Sequence, residues 1–345
     1  MPEENSSGNL QKDLTPAVGK IRPRVSVALA LCDGAKFLHG QLDSLFRQKL
    51  VPDEIVVSDD ASTDESAAIV REYSDAHPGV IKYIRNDSRL GAAKNFEKAI
   101  AATTGDIIFL SDQDDVWHPD KIELMTGKLA SALWHPAGIF CNSLLTGESL
   151  QILPCTHWDL REFSDVENFT GIRQLEQCCR IAPVAGHNIA FEKELKELLL
   201  PFPDLAGCHD NWIALVIAAL GNWQIEPATL TLFRQHGGNL SQMLSGQNPW
   251  RQAQIALKEH RDQWNSLLYA ALIERMGQFP NRFPLEARLL ASERKAYSEA
   301  RSRLSRRFIE RIAPVFRLWS SGLYGKFGRG WKNFIQDLFL RSFFG

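Results

Sequence analysis

Between residues 25 and 111 the chain alternates short apolar runs with segments in which apolar side chains recur at helical spacing. The apolar runs cover residues 25–31, 54–58, 80–84 and 107–110. Each of the first three is followed by a predicted helix, the second of which covers residues 64–76. Such alternation predicts a parallel sheet with right-handed crossovers. The carboxyl ends of parallel strands lie along one edge, so the side chains that follow them can converge on one ligand.

Three carboxylates, those of Asp112, Asp114 and Asp115, follow the fourth predicted strand within four positions. Like charges this close repel each other, and burial is costly for them unless a positive charge compensates. Mg²⁺ and Mn²⁺ take oxygen ligands and often keep open positions for the phosphates of a substrate. The sequence therefore indicates a metal and diphosphate site. For an Asp-x-Asp pattern taken alone, a solvated acidic turn is the favoured alternative.

Other polar residues follow or open predicted elements where they can reach the same edge. They are Asp60 after the second strand, Lys94 and Asn95 at the start of the third helix, Asp210 before an apolar helix at residues 212–220, and Arg234 and His236 after a strand at residues 228–233. Each has a structural alternative. An acidic residue suits a helix N-terminus or an N-cap, a lone histidine is usually structural, and lysine and arginine are commonly surface cations.

The runs at residues 56–64, 86–95 and 112–119 together resemble the family 2 glycosyltransferases of the GT-A fold, and most closely the bacterial rhamnosyltransferases of surface-polysaccharide synthesis. The resemblance spans residues 24–245. It departs at Cys32-Asp33-Gly34, where the family usually has Tyr-Asn-Gly. The resemblance implies an α/β, Rossmann-like fold with a mainly parallel central sheet flanked by helices, followed here by a helical C-terminal extension.

The resemblance also implies roles for the residues at the sheet edge. Asp114 is the predicted metal ligand, Asp112 supports it or contacts the sugar and ribose, and Asp115 is a weaker third candidate. His236, in an Arg-x-His signature, is a predicted further ligand of the Mg²⁺ or Mn²⁺ ion. For the nucleotide-sugar donor, the predicted contacts are Asp60, Lys94, Asn95, Asp112 and Arg234.

Asp210 resembles the acid that faces the acceptor hydroxyl across the anomeric carbon in this family. We therefore predict that Asp210 is the general base. A single base opposite the leaving group implies in-line displacement with inversion of configuration. The alternative for Asp210 is an N-cap of the helix that follows, where aspartate is favoured.

Length and composition agree with a globular enzyme. The chain has 345 residues, 44% hydrophobic content and a formal net charge of -2, which argues against a nucleic-acid partner. Its six cysteines follow no metal-site spacing and suit a reducing cytoplasm. No apolar run reaches 18 residues, so no transmembrane helix is expected.

The last 45 residues contain ten basic and two acidic residues, interspersed with tryptophan, phenylalanine and leucine. Such a segment is typical of contact with an anionic membrane surface. Helices that pack on the catalytic domain, with solvated cations, are the alternative. The predicted organisation is a disordered N-terminus at residues 1–23, a GT-A domain at residues 24–245 and a helical region at residues 246–345 whose basic amphipathic tail ends the chain.

The prediction from sequence is an inverting, metal-dependent glycosyltransferase of the bacterial cytoplasm or the inner face of the cell membrane. It transfers rhamnose from dTDP-rhamnose to a lipid-linked or saccharide acceptor in the synthesis of an O-antigen-type surface polysaccharide. Two alternatives are a UDP-hexose-dependent transferase and a non-catalytic nucleotide-sugar-binding partner of a polysaccharide-assembly complex.

Overall fold

The computed structural model describes residues 22–340 except residues 206, 208 and 238–260, and it is organised around a nine-stranded sheet. The strands are β1 Val25–Leu31, β2 Glu54–Asp59, β3 Ile81–Arg85, β4 Ile107–Ser111, β5 Val116–Trp117, β6 Gly138–Thr146, β7 Ile152–Thr156, β8 Ile189–Glu192 and β9 Trp223–Arg234. Their order is β3-β2-β1-β4-β8-β6-β9-β5, and β7 pairs with β6.

The α-helices pack on both faces of the sheet, and the last five of them form the C-terminal region of the chain. They are α1 Ala35–Phe46, α2 Ser66–Ala76, α3 Ala92–Ala102, α4 Lys121–Ala130, α5 His157–Arg161, α6 Ile172–Ile181, α7 Lys196–Leu199, α8 His209–Leu220, α9 Arg261–Gln278, α10 Leu285–Ser302, α11 Phe308–Ser320, α12 Leu323–Phe327 and α13 Trp331–Ile335. The prediction of an α/β fold with a helical C-terminal region is confirmed.

The four strands predicted from the alternating pattern are all present and run parallel to one another, with β1 between β2 and β4. The second half of the sheet is mixed, because β8 runs antiparallel to both β4 and β6. This arrangement brings the turn before β8 next to the carboxyl end of β4. The acidic cluster after β4 therefore faces residues that are remote in sequence.

Alternation along β1 divides the core into two layers. Val25, Val27 and Leu29 point to the layer that contains α1, α2 and α4, whereas Ala28 points to the opposite layer. The second layer is larger, because it continues from α3 and α8 into the C-terminal helices α9 to α12. The C-terminal helices thus share a core with the catalytic part of the chain.

A buried arginine fixes this C-terminal packing. Arg275 of α9 donates hydrogen bonds to the carbonyl oxygens of Leu198 at 2.7 Å and Pro201 at 2.7 Å. These carbonyls lie in the segment that leads to α8, so α9 supports the chain just before the predicted base Asp210.

The sequence pattern predicts several elements that the structure corrects. It predicts a loop-rich segment at residues 142–180, which contains most of β6 together with β7, α5 and α6. It predicts one helix at residues 285–312 that Pro314 would break, whereas the structure has two helices and Pro314 lies inside α11. Pro314 is tolerated there because the carbonyl four residues earlier belongs to Glu310, which is exposed, so water can satisfy it. Ser62 or Thr63 is the expected cap of the second helix, but Ser62 accepts a hydrogen bond from the Asp33 N–H instead.

Two predictions fall on residues that the structure does not describe. The predicted disorder of the N-terminus concerns residues 1–21 almost entirely, which lie outside the described residues. The first part of the helix predicted at residues 249–276 also lies outside them, and the described part is α9.

Candidate active site

Asp60, at the end of β2, is buried and orders the loop that precedes α3. Its carboxylate accepts hydrogen bonds from the backbone N–H groups of Leu90 at 2.6 Å and Gly91 at 2.9 Å, and from the Asn86 side chain at 3.1 Å. A carboxylate has about four acceptor positions, and these three bonds leave about one of them unused. Its neighbour Asp59 orders the turn after β2 by accepting from the Ser62 N–H at 2.8 Å.

Asn95 and Lys94, predicted to contact the donor, are engaged with the protein. The Asn95 amide donates to the carbonyl oxygens of Leu31 at 3.2 Å and Ser58 at 2.8 Å, which joins the ends of β1 and β2. The Lys94 ammonium lies 3.0 Å from the Glu97 carboxylate and donates to a loop carbonyl. In this arrangement Asn95 supports the edge of the sheet, whereas Lys94 is partly exposed and joins α3 to the loop before α8.

The loop between β4 and β5 carries the acidic cluster, whose side chains differ in exposure to solvent. The Asp112 side chain is 35% exposed, whereas Asp115 is fully buried. One Asp115 oxygen, Oδ1, accepts a hydrogen bond from the Arg234 N–H at 3.1 Å. The other, Oδ2, has no hydrogen-bond partner among the described residues. Burial of such an oxygen is costly unless something outside the chain satisfies it.

His187 completes this cluster and was missed by sequence reasoning. It lies in the turn at residues 186–188 before β8, and its Nδ1 is 3.9 Å from both Asp112 Oδ2 and Asp115 Oδ2. The sequence signal was the glycine-centred stretch at residues 183–191, which resembles the segment beneath the sugar in the family. That signal indicated the location of the segment but not the role of its histidine.

The electrostatics of the cluster follow from burial. Desolvation, together with the charges of Asp114 and Asp210, raises the pKa of Asp112 to about 7. Desolvation, together with the charges of Asp114 and Asp112, raises the pKa of Asp115 well above its usual range. Desolvation lowers the pKa of Lys121 to about 8. In the absence of a cation, the surrounding protein therefore favours the protonated forms of Asp112 and Asp115.

Lys121 is the buried cation beneath the cluster. Its ammonium donates to the His187 carbonyl at 2.7 Å and to Thr231 Oγ1 at 2.8 Å, and it lies 3.9 Å from the centre of the Trp117 ring. The side chain is completely buried at the start of α4. Sequence reasoning also missed this residue, because a lysine at the start of a helix usually faces water.

Asp114 and His236 form a pair that is more exposed than Asp115 and His187, and we call it the outer pair. His236 Nε2 lies 2.8 Å from Asp114 Oδ2, and the His236 ring packs on Phe37 at 4.6 Å. Arg234 Nε donates to the Asp114 carbonyl at 2.7 Å, and its guanidinium also packs on Phe37. A cleft of about 480 Å³ opens beside this pair. It is lined by Lys36, Phe37, Gly40, Glu148, Ser149, Gln151 and Arg234.

Asp210 lies in the first turn of α8, on the other side of the cluster. Its Oδ1 accepts from the backbone N–H of Asn211 at 2.7 Å and from the Asn211 side chain at 3.1 Å. A Cβ at Gly186 would lie 2.9 Å from His209 Nε2 and 3.6 Å from Asp210 Cβ, so only glycine lets the turn before β8 pack this closely. The negative charge of Asp210 also acts on Asp112, which places the two carboxylates within electrostatic reach.

The site residues thus fall into two groups. The first group lies in and around the loop after β4. It consists of Asp112, Asp114, Asp210, Arg234 and His236, together with Asp115, His187 and Lys121. The second group lies near the neighbouring ends of β1 and β2 and at the start of α3, and it consists of Asp60, Lys94 and Asn95. Carboxylate oxygens and an imidazole nitrogen are suitable ligands for Mn²⁺ and related ions, and the unpartnered Asp115 oxygen fits the presence of such a cation.

Comparison with known proteins gives the family of the N-terminal part. Residues 26–141 match the model of "Glycosyl transferase family 2". The dTDP-rhamnosyl transferase RfbG of Shigella flexneri is 36% identical over 28% of this chain and 34% of its own length. The succinoglycan biosynthesis protein ExoO of Rhizobium meliloti is 25% identical over 66% of this chain and 65% of its own length. The chain therefore spans less than two thirds of the length of these curated relatives.

A solved structure extends the likeness to nearly the whole chain. The S. aureus TarS 1-349 structure in complex with UDP-GlcNAc superposes with a TM-score of 0.53, at 16% identity, over 92% of this chain and 90% of that one. At this identity the likeness establishes the fold. The structural likeness thus agrees with the GT-A fold, and the family match gives a glycosyltransferase domain at residues 26–141.

Among the helices of the described residues, none has the length and apolar character needed to cross a membrane.

Proposed function

We propose that this chain, whose residues 26–141 carry a family 2 glycosyltransferase domain, is an inverting, metal-dependent transferase that moves a sugar from a nucleotide donor to an acceptor hydroxyl. The observation that supports it most is the meeting of Asp112, Asp114 and Asp210 at one sheet edge, where burial and the charges of Asp114 and Asp210 raise the pKa of Asp112. Packing alone gives no reason for this arrangement. A divalent ion with a diphosphate would make it electrostatically favourable.

Each residue has a role in this proposal. Asp112 and Asp114, with His236 beside them, hold the ion, which when bound acts as a Lewis acid toward the diphosphate. Arg234 donates a hydrogen bond to the Asp114 carbonyl, which holds the loop after β4 in place, and it lines the cleft proposed for the donor. Asp210 accepts the proton of the acceptor hydroxyl as that oxygen attacks the anomeric carbon from the face opposite the leaving group. Because one displacement takes place, the anomeric configuration inverts.

For the donor we propose dTDP-rhamnose, on the grounds of the rhamnosyltransferase-like motifs and the likeness to RfbG. In this proposal Asp60 uses its remaining acceptor position for the nucleoside, and the 86–91 loop that it orders encloses the base. The structural likeness to TarS, which was solved with UDP-GlcNAc, favours a UDP-hexose as the second candidate. The motifs do not separate a thymine from a uracil nucleotide.

A donor screen by thermal unfolding tests the donor. With MnCl₂ present, dTDP-rhamnose at about 100 times its Kd should stabilise the protein by about 2.7 kcal/mol, because only the native state binds it. EDTA should abolish the shift, and Asp112→Asn should reduce it. UDP-GlcNAc and UDP-glucose are measured in parallel, and a shift with one of them alone would reassign the donor.

Asp106 gives the control for this screen. It lies just before β4, at the end of the strand opposite Asp112, and pairs with Lys193. Asp106→Asn removes one carboxylate from the same segment but should leave the donor-induced shift unchanged. Absence of a shift with every dTDP and UDP sugar would contradict the proposed donors. Tight donor binding without turnover would favour the non-catalytic binding partner.

We further propose that the acceptor is a growing surface polysaccharide or its lipid-linked precursor, consistent with the likeness to a succinoglycan biosynthesis protein. The C-terminal helices offer a surface for the membrane that would carry such an acceptor. Ile309, Phe316 and Trp319 of α11 are exposed at 82%, 51% and 45% and lie on one side of the helix. Trp331 of α13 is exposed at 64% nearby in the chain.

Exposed cations accompany these aromatic residues. They are Arg303, Arg306, Arg307, Arg317, Lys326, Arg329 and Lys332. Aromatic side chains insert at the interface of a bilayer, while each cation near an anionic surface adds about 1 kcal/mol. This charge complementarity favours an anionic membrane over a second protein as the partner. The enzyme would then act at the inner face of the bacterial membrane.

Vesicle co-sedimentation tests the membrane contact. Vesicles of phosphatidylcholine with phosphatidylglycerol should bind the full chain at low salt, and Ile309→Ser with Trp319→Ser should weaken binding about tenfold or more because two inserted side chains are lost. Trp134→Ser is the matched control, since Trp134 is 72% exposed on a loop before β6. Equal binding by both variants, or equal binding to pure phosphatidylcholine, would contradict the proposal.

A further inference from the structure

Asp112, Asp115 and His187 bring three possible ligand atoms together below the outer pair of Asp114 and His236. One oxygen of each carboxylate and one ring nitrogen all lie within 4.8 Å of one another. The His187 Nδ1 is 3.9 Å from each of the two carboxylate oxygens. The three side chains come from the loop after β4 and the turn before β8, which meet only because β8 pairs with β4.

These separations are too long for hydrogen bonds. They are, however, the separations expected across a cation, because ligand atoms about 2.1 Å from an ion lie about 3–4 Å from each other. The outer pair differs in this respect. His236 and Asp114 are in direct hydrogen-bond contact at 2.8 Å, so an ion can enter between them only if they separate.

A second observation points to a ligand. Asp115 is fully buried, and its Oδ2 has no hydrogen-bond partner among the described residues. The His187 ring is held in place by stacking on Phe233 at 4.2 Å and by a contact of 3.1 Å between Nε2 and Ser143 Oγ. When Nε2 donates to Ser143, the Nδ1 lone pair faces the two carboxylates. Three electron-rich atoms then converge, and Lys121, the buried cation beneath them, directs its ammonium to the His187 carbonyl and to Thr231.

We propose that Asp112, Asp115 and His187 form an inner cation site that binds a divalent transition-metal ion, with Mn²⁺ preferred to Mg²⁺. The preference follows from the imidazole nitrogen and from burial, since Mg²⁺ favours oxygen ligands and gives up its water reluctantly. Asp112 is the only partly exposed residue of the three, so the ion would reach the diphosphate on the Asp112 side of the site. The use of the ion rests on the proposed function, but its binding does not.

The inner site takes all three of its proposed ligand atoms from the protein, so it needs no nucleotide donor to bind an ion. The free protein should therefore bind Mn²⁺ without any nucleotide. Electron spin-echo envelope modulation of the Mn²⁺-loaded protein should show coupling to a ¹⁴N nucleus of a histidine ring. Mg²⁺ in roughly tenfold excess should displace little of the Mn²⁺.

Two matched variants identify the histidine. His187→Phe keeps the ring that stacks on Phe233, and His236→Phe keeps the ring that packs on Phe37. Only His187→Phe should abolish the ¹⁴N coupling and raise the Kd for Mn²⁺ by at least about tenfold. Asp115→Asn provides a second variant, because its amide oxygen can still accept from the Arg234 N–H, and it should weaken Mn²⁺ binding similarly.

The outcomes separate this inference from the proposed function. Retention of the ¹⁴N coupling in His187→Phe, or no Mn²⁺ binding by the free protein, would overturn the inner site and leave a protonated carboxyl cluster in its place. Sugar transfer could still take place with an ion on the outer pair. Conversely, Mn²⁺ bound through His187 in a protein that transfers no sugar would support the inner site and contradict the proposed function.

Discussion

Replacement of Asp210 with asparagine is expected to lower the rate of sugar transfer about 10²–10⁴-fold, the usual contribution of a positioned general base. The amide cannot take the proton of the acceptor hydroxyl. It is nearly the same shape as the carboxylate, and its oxygen can still accept from the Asn211 N–H that now lies 2.7 Å from Asp210 Oδ1. The measurement is release of nucleoside diphosphate from dTDP-rhamnose with MnCl₂ and a panel of alkyl glycosides as acceptors.

Donor binding gives the internal check for this variant. Asp210→Asn should keep the donor-induced thermal shift, because the base contacts the acceptor rather than the donor. Asp204→Asn is the matched control, since Asp204 is exposed in the segment just before α8. It should transfer at the wild-type rate. An Asp210→Asn enzyme that kept most of its activity would show that another group takes the proton.

Replacement of Lys121 with methionine is expected to destabilise the metal-free protein by about 3–5 kcal/mol, the usual cost of removing one partner from a buried set of charges. The ammonium is completely buried, and desolvation already lowers its pKa to about 8. Its loss leaves Asp112 and Asp115 without their buried cation, and the His187 carbonyl without its donor. Urea unfolding at neutral pH measures the change.

Lys128 is the control on the same helix. It is partly exposed and lies 3.5 Å from Glu226, and an ion pair of this kind contributes about 0–1 kcal/mol. Lys128→Met should therefore change the free energy of unfolding by no more than about 1 kcal/mol. If Lys121→Met were as mild as Lys128→Met, the buried ammonium of Lys121 would not be the group that holds the turn at residues 186–188 and offsets the charge of the cluster.

The first half of the sheet could be predicted from the sequence because its signals are local. Strands β1 to β4 are uniformly buried apolar runs or follow turn signals, and the helices between them show helical spacing. The acidic cluster could be predicted for the same reason, since Asp112 and Asp114 directly follow β4. The orientation of the cluster toward Asp210 was then implied by the resemblance rather than by spacing.

The inner layer of the site could not be predicted, because it depends on contacts between distant parts of the chain. His187 meets Asp115 only through the antiparallel pairing of β8 with β4. Lys121 is buried because the start of α4 lies under the turn at residues 186–188, where it meets the His187 carbonyl. Nothing in a single sequence distinguishes that lysine from a surface cation.

Local patterns also left structural roles undetected at particular positions. Asn95 stays a predicted donor contact, and the structure adds that its amide joins β1 and β2 through the carbonyls of Leu31 and Ser58. Residues 172–181 did not resemble a helix, because two of their buried positions are the cysteines Cys178 and Cys179, which act here as small apolar side chains. In each case the tertiary environment decided what a residue does.

The most direct test of the central claim is the anomeric configuration of the product formed from dTDP-rhamnose, or from the UDP-hexose that the screen selects. The reaction is run with MnCl₂, with EDTA and with Asp114→Asn, and the anomeric centre is followed by NMR. The account predicts a glycoside of inverted configuration with Mn²⁺, and little or none with EDTA or with the variant. A product of retained configuration, or equal transfer without a divalent ion, would contradict it.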